Sequence, residues 1–165
     1  MNQRLYKLIR KDVFAFNEWR MQNQKEKIDF LEADFSGLDL SEAYLMDAIL
    51  DGANFNEATL HQTVFCKASL KGADFTRADL RVAFFGPPEL VKADFMFTDI
   101  GNLLSYAANL EGAIFKLANL TGANLRESNL KNADFSEANL THANLKNANL
   151  ENTNLEGAIL NGTVM

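Results

Sequence analysis

From Phe30 to Leu160 every fifth residue is large and apolar: of 27 such positions 26 are Leu, Phe or Ile, and only Ser105 departs. A helix repeats its faces every 3.6 residues and a strand every two, so neither element produces this spacing. Two places before each large residue stands Ala in 19 of the 27 cases, and the residue between them is usually Asp or Asn. Each pentad therefore sends one large and one small side chain inward and leaves three facing water.

A second period lies inside the first. Phe35, Phe55, Phe75, Phe95, Phe115 and Phe135 recur every twenty residues, ending at Leu155, while Leu40, Leu60, Leu80, Ile100, Leu120, Leu140 and Leu160 form an aliphatic set. Four pentads per circuit predict a four-sided tower in which each core residue rests on its equivalent twenty residues away. Residues 28–163 supply nearly seven circuits, giving a height of roughly 30 Å at an inter-strand spacing of about 4.8 Å. Burying a large side chain is worth about 1.5 to 3 kcal/mol, whereas ordering the backbone costs about 1 to 2 kcal/mol per residue. One circuit cannot stand alone, and stacking must supply the rest.

The Ala, Asp or Asn, Leu or Phe pattern resembles the pentapeptide-repeat family over about four fifths of the chain. The resemblance implies an all-β solenoid, a right-handed quadrilateral parallel β-helix, in one unbroken frame of about seven coils. It implies no single function. The segment Asn17, Glu18, Trp19, Arg20 is similar to the junction between helix and tower in bacterial members.

The two ends differ from the body. Leu5, Leu8, Ile9, Val13, Phe16 and Trp19 follow helical spacing, with Arg4, Lys7, Lys11 and Glu18 on other faces. This predicts an amphipathic helical cap over 1–27, broken near Asn17, that shields Phe30 and Phe35. The repeat body spans 28–165. At the far end Leu155, Leu160, Val164 and Met165 sit on an open coil edge, a candidate end-to-end contact for a homodimer.

Charge is divided in the same way. Residues 1–27 carry seven Lys or Arg against three Asp or Glu, and residues 28–165 carry nine against nineteen, so a basic head sits on an acidic body. Positive charge confined to the head argues against direct nucleic-acid binding. Charges interrupt the apolar residues at the N-terminus, and no segment reaches membrane-spanning length, which predicts a cytoplasmic protein with no membrane span. Cys66 is the only cysteine, which excludes an internal disulfide and a cysteine-based zinc site.

Departures from the repeat mark the candidate site. On one side the outward Asp or Asn is replaced by Tyr44, Val64, Phe84 and Leu104, with Met46, Cys66, Gly86 and Tyr106 two places on. This predicts an apolar column four coils high, and Tyr44, Met46, Val64, Phe84, Leu104 and Tyr106 form a candidate protein interface. Pro87 and Pro88 cannot donate ladder hydrogen bonds and predict a bulged corner. The repeat also predicts Asp74 beside Asp94 and Asp79 beside Asp99, pairs dictated by the pattern. His61 and His142 fall four coils apart, too far to share a metal, and no phosphate-cradling loop or nucleophile signature is present.

The reading is a non-enzymatic scaffold, with no cofactor and no metal, that binds a protein partner through the apolar side. The alternative comes from the resemblance: some family members are acidic DNA mimics that bind gyrase. About 30 Å of duplex carries roughly 17 charges, whereas the body's net charge is minus 10 over four sides, and protruding loops like those of the gyrase-binding members are not expected in an unbroken frame.

Overall fold

The computed structural model describes residues 1–86 and 107–165. Single-residue parallel bridges, rather than extended strands, join positions twenty apart on four sides: Asp29 to Ile49, Asp34 to Asn54, Asp39 to Thr59 and Tyr44 to Val64. The side at Ile49 makes three backbone bonds to its neighbouring tiers, one of them at the corner from the Gly52 N–H to the Lys71 carbonyl at 2.8 Å. The N–H of Leu50 donates up to Ser69 at 2.8 Å, and that of Ile49 donates down to Ile28 at 2.9 Å.

Corners recur every five residues because the chain turns after each core residue. The N–H of Ala33 closes the turn onto the Phe30 carbonyl at 3.0 Å, and the third turn residue adopts a left-handed backbone, as Glu32 does at φ 54°. Glycine fills some of these corners, but most hold an L residue, including the β-branched Val82 at φ 57°. Left-handed geometry strains such residues, so the stacking of neighbouring tiers must hold them there. The Asp or Asn of the repeat has its own local task. Its side-chain oxygen accepts the N–H two residues on, as at Asp29 to Leu31, Asn54 to Asn56 and Asn139 to Thr141; this Asx turn launches the corner.

Inside, the rings stack as the twenty-residue period predicts: Phe55 on Phe75 at 4.8 Å and Phe115 on Phe135 at 4.5 Å. A second pair, Phe65 on Phe85 at 4.9 Å, meets the first column edge-on. Where the inward Ala becomes Thr63, its hydroxyl donates to the Leu40 carbonyl at 2.9 Å, so the substitution buries no unpaired group.

At one place the ladder steps forty residues instead of twenty. Ser69 bridges Asn109, Asp74 bridges Ile114, Asp79 bridges Asn119 and Phe84 bridges Asn124. Phe75 stacks directly on Phe115 at 4.9 Å with the rings 2° from parallel. The described tiers are thus 27–46, 47–66, 67–86, 107–126, 127–146 and 147–165. This corrects the expectation of one unbroken frame: tier 67–86 is the immediate neighbour of tier 107–126. The turn itself closes across the gap, since the N–H of Ala108 donates to the Phe85 carbonyl at 2.7 Å, the bond that Ala68 makes to Phe65 one tier below. The expected corner at Pro87 and Pro88 and the exchange at Leu103 and Ser105 lie outside the described residues.

Two helices close the lower end. α1 (Gln3–Lys11) and α2 (Val13–Gln22) are separated at Asp12, whose extended backbone ends the first while its carboxylate accepts the Ala15 N–H and starts the second. The break therefore falls at Asp12 and not near Asn17, because an N-capping carboxylate terminates helix geometry more decisively than a mid-helix Asn. Leu5, Ile9 and Phe16 are buried against the first tier, with Phe16 6.2 Å from Phe30 and Tyr6 5.5 Å from Phe35.

The cap also imitates the tier that would otherwise lie beneath. The Asn2 N–H donates to the Asp29 carbonyl, Tyr6 and Arg10 donate to that of Asp34, and the Asn17 side chain accepts the Tyr44 N–H at 2.9 Å. Arg20, buried, donates to the carbonyls of Asn23, Gln24, Glu26 and Met46. Burial depresses its pKa and Asp47 at 3.8 Å partly offsets this.

Two predictions follow from this construction. Deleting 87–106 joins Gly86 to Ala107 in register. It removes the cost, roughly 2 to 3 kcal/mol, of closing a corner across the intervening residues and adds about 1 to 2 kcal/mol for Ala107 in a left-handed corner. Thermal melts should show a folded protein at least as stable as the full chain; a chain that no longer folds would refute the forty-residue step.

The second concerns acid. Hydrogen bonds hold four carboxyls below their usual range: the Leu31 N–H at Asp29, the Ser36 hydroxyl at Asp34, the Ser41 hydroxyl at Asp39 and the Arg81 guanidinium at Asp79. A depressed folded pKa contributes stability above the unfolded value of about 3.9 that is lost as pH falls through the folded values. The melting temperature should hold steady from pH 7 to about 5 and drop below about 4, with a shallower drop in an Asp29→Asn, Asp39→Asn double variant. Identical acid profiles for the two proteins would contradict the assignment.

Candidate protein interface

The fourth side carries Tyr44, Val64 and Phe84 in successive tiers, and the next bridge passes from Phe84 to Asn124 and then to Asn144. The expected fourth member, Leu104, and its neighbour Tyr106 lie outside the described residues. Among the described residues the column is therefore three tiers high, because the forty-residue step puts Asn124 where Leu104 was expected.

The column has a graded exposure. Tyr44 is 38 % exposed at the lower end and Met46 is half-buried beside it, whereas Val64 is 8 % exposed and Cys66 is buried. Val64 and Cys66 form a small apolar cluster of their own, with Met46 and Phe84 packed against it, outside the main core. The cap meets this side from below. Asn17 brackets the backbone at Glu42 and Tyr44, and Arg20 reaches the Met46 carbonyl.

The row two places on reads Met46, Cys66, Gly86 and then Arg126. Gly86 is needed for contact between tiers: a Cβ there would collide with the Arg126 carbonyl oxygen, a backbone atom that cannot swing aside. The Cys66 thiol donates to the Gly86 carbonyl at 3.3 Å, and burial pushes its pKa up to about 12. A thiol so protonated and enclosed is a packing group and not a nucleophile.

Asp74 bridges Ile114 and Asp79 bridges Asn119; the expected carboxylate pairs with Asp94 and Asp99 lie outside the described residues. Asp79 is also engaged by Arg81 at 2.6 Å. Among the described residues no three His, Cys, Asp or Glu side chains gather as a metal group. The candidate end contact sits on the last tier, where Leu155 is half-buried and Leu160, Val164 and Met165 are exposed. Among the described residues, no tier accepts the upward-facing N–H groups of Leu150, Leu155 and Leu160. Sequence reasoning missed Val82, an exposed apolar residue at a left-handed corner of the same side; its sign in the sequence is a β-branched residue at a corner position.

Comparison with known families matches the pentapeptide repeats in eight copies, over residues 26–52, 45–81, 106–141 and 133–165. The chain belongs to the pentapeptide-repeat family. The matched segments leave out 82–105, close to the place where the ladder steps forty residues. Among solved structures, this pentapeptide-repeat protein is similar to one from the Arabidopsis thaliana thylakoid lumen. The two are 28 % identical over 76 % of this chain and 73 % of that one, with a TM-score of 0.60. A pentapeptide repeat protein of the cyanobacterium Cyanothece 51142 is 22 % identical over 91 % of this chain and 97 % of its own, with a TM-score of 0.47. A plasmid-mediated fluoroquinolone resistance protein is 25 % identical over 81 % of this chain and 82 % of its own, with a TM-score of 0.33. No curated protein matches. Among the described residues no helix is long and apolar enough to cross a membrane.

The contact at Gly86 gives a direct test. Gly86→Ala should cost about 2 to 3 kcal/mol, as overpacking against rigid backbone does, seen in urea denaturation as a lower midpoint with an unchanged slope. An unaltered midpoint would mean that tiers 67–86 and 107–126 are not in this contact.

Proposed function

We propose that this pentapeptide-repeat protein is a non-enzymatic scaffold that docks a protein partner on its fourth side, with the right-handed quadrilateral winding of its family. The observation that carries the reading is the Tyr44 and Met46 end of the apolar column, an exposed ring where the repeat otherwise places Asp or Asn and, beside it, a half-buried thioether in a row otherwise mostly polar. Large aromatic and Met side chains are enriched where proteins meet. The column lies on a rigid support: below it Asn17 and Arg20 lock the backbone of Tyr44 and Met46, and behind it Phe65 and Phe85 stack. A docking surface fixed in this way loses little freedom on binding. The tier 147–165 offers a second, self-complementary contact, in which Leu155, Leu160, Val164 and Met165 of one copy meet those of another.

The docking side is tested by placing a photo-crosslinking amino acid at Tyr44 and, as control, at the exposed Glu57 away from it. In the source cell a discrete heavier product should form from position 44 and not from 57. The Met46→Lys variant should reduce its yield about tenfold, the loss of one hot-spot contact. A product at twice the chain mass would assign the column to self-contact and displace the heterologous partner; equal products from both positions would remove the column as a site.

A further inference from the structure

The cap has an outer face that its structural task leaves unused. α1 turns Leu5 and Ile9 into the core, so Arg4, Lys7 and Lys11, spaced three and four apart, share the opposite, exposed face. Lys25 and Lys27 are exposed in the link from α2 to the first tier. None of these five cations has an ion-pair partner among the described residues, whereas Arg10 and Arg20 are engaged with backbone carbonyls. The acids of the head do not neutralise them: Asp12 caps α2, Glu18 is half-buried, and Glu26 is the one exposed carboxylate without a capping task. In the first turn of α2, three residues past Lys11, Phe14 is 75 % exposed, more than any other large apolar side chain described.

We propose that these exposed groups of the cap, the cations Arg4, Lys7, Lys11, Lys25 and Lys27 together with Phe14, dock on an anionic lipid surface and stand the tower end-on upon it. Lysines reach headgroup phosphates while an aromatic ring enters the acyl boundary, the combination used by proteins that lie on a membrane without spanning it. A partner offering phosphates alone gives a bare Phe14 nothing to contact. The acidic body, with nine Lys or Arg against nineteen Asp or Glu, is repelled by the same surface, so charge sets the orientation as well as the attraction. The surface is at the opposite end from tier 147–165, which leaves the docking side accessible.

The test is co-sedimentation of the full chain with vesicles of phosphatidylcholine alone and of phosphatidylcholine with about 30 % phosphatidylserine, an anionic content that attracts basic segments. The protein should pellet with the mixed vesicles at low salt, stay in solution with the neutral ones, and be released by high salt. At roughly fivefold per cation, Lys7→Glu with Lys11→Glu should lower partitioning more than tenfold, and Phe14→Ser should lower it several-fold. Lys71→Glu with Lys146→Glu, an equal charge change on the body, should leave it unchanged, and melting curves should show every variant folded. Equal pelleting with neutral vesicles, no loss on Phe14→Ser, or an equal loss from the body variant would overturn the proposal. So would pelleting without vesicles, which would assign the basic face to a second copy.

Discussion

Every feature of this tower depends on a hydrogen-bond register between residues twenty apart, and that register exists only because the chain takes a left-handed corner every fifth residue. A single tier has two orphan rims. Stacking satisfies both at once, and the cost of holding Val82 or Glu32 at positive φ is met by the bonds on either side. The lower end shows how strict the demand is. The cap places an amide at Asn17, a guanidinium at Arg20 and a hydroxyl at Tyr6 against the backbone groups that a preceding tier would have satisfied.

The period of five and its multiple of twenty were fully legible, since each inward position is filled by nearly one residue type and the rings of Phe55, Phe75 and Phe115 stack as spaced. The forty-residue step was not. A step of forty in place of twenty shifts no residue out of phase, so counting by fives or twenties cannot detect it. Its traces in the sequence are chemical: Pro87 and Pro88, Leu103 for Ala and Ser105 for Leu gather between Gly86 and Ala107. The same blindness made the apolar column look four tiers high when Phe84 meets Asn124. The helix break was misplaced for a different reason: Asn17 reads locally as a breaker, but its side chain serves the backbone of the first tier while Asp12 caps α2.

The inside of the protein is nearly uniform, and its individuality lies on its outer surfaces. Thr63 and Ser128 enter the core only with their hydroxyls bonded to carbonyls of other tiers. Outside, where the repeat asks little beyond an Asx turn, one side trades Asn for Tyr44, Val64 and Phe84, one end is basic, and the other exposes Leu160, Val164 and Met165. A scaffold of this kind separates folding from recognition: the core residues specify the tower, and the outward positions are available for contacts without disturbing it.

The bond between Ala108 and Phe85 closes a corner regardless of what the chain does between Gly86 and Ala107. Register above that corner is set by this bond and by the ring of Phe75 on Phe115, not by the number of residues that intervene. The corner is therefore a permissive graft point, where segments of other lengths and compositions, not restricted to multiples of five, can be carried by the stacked tiers.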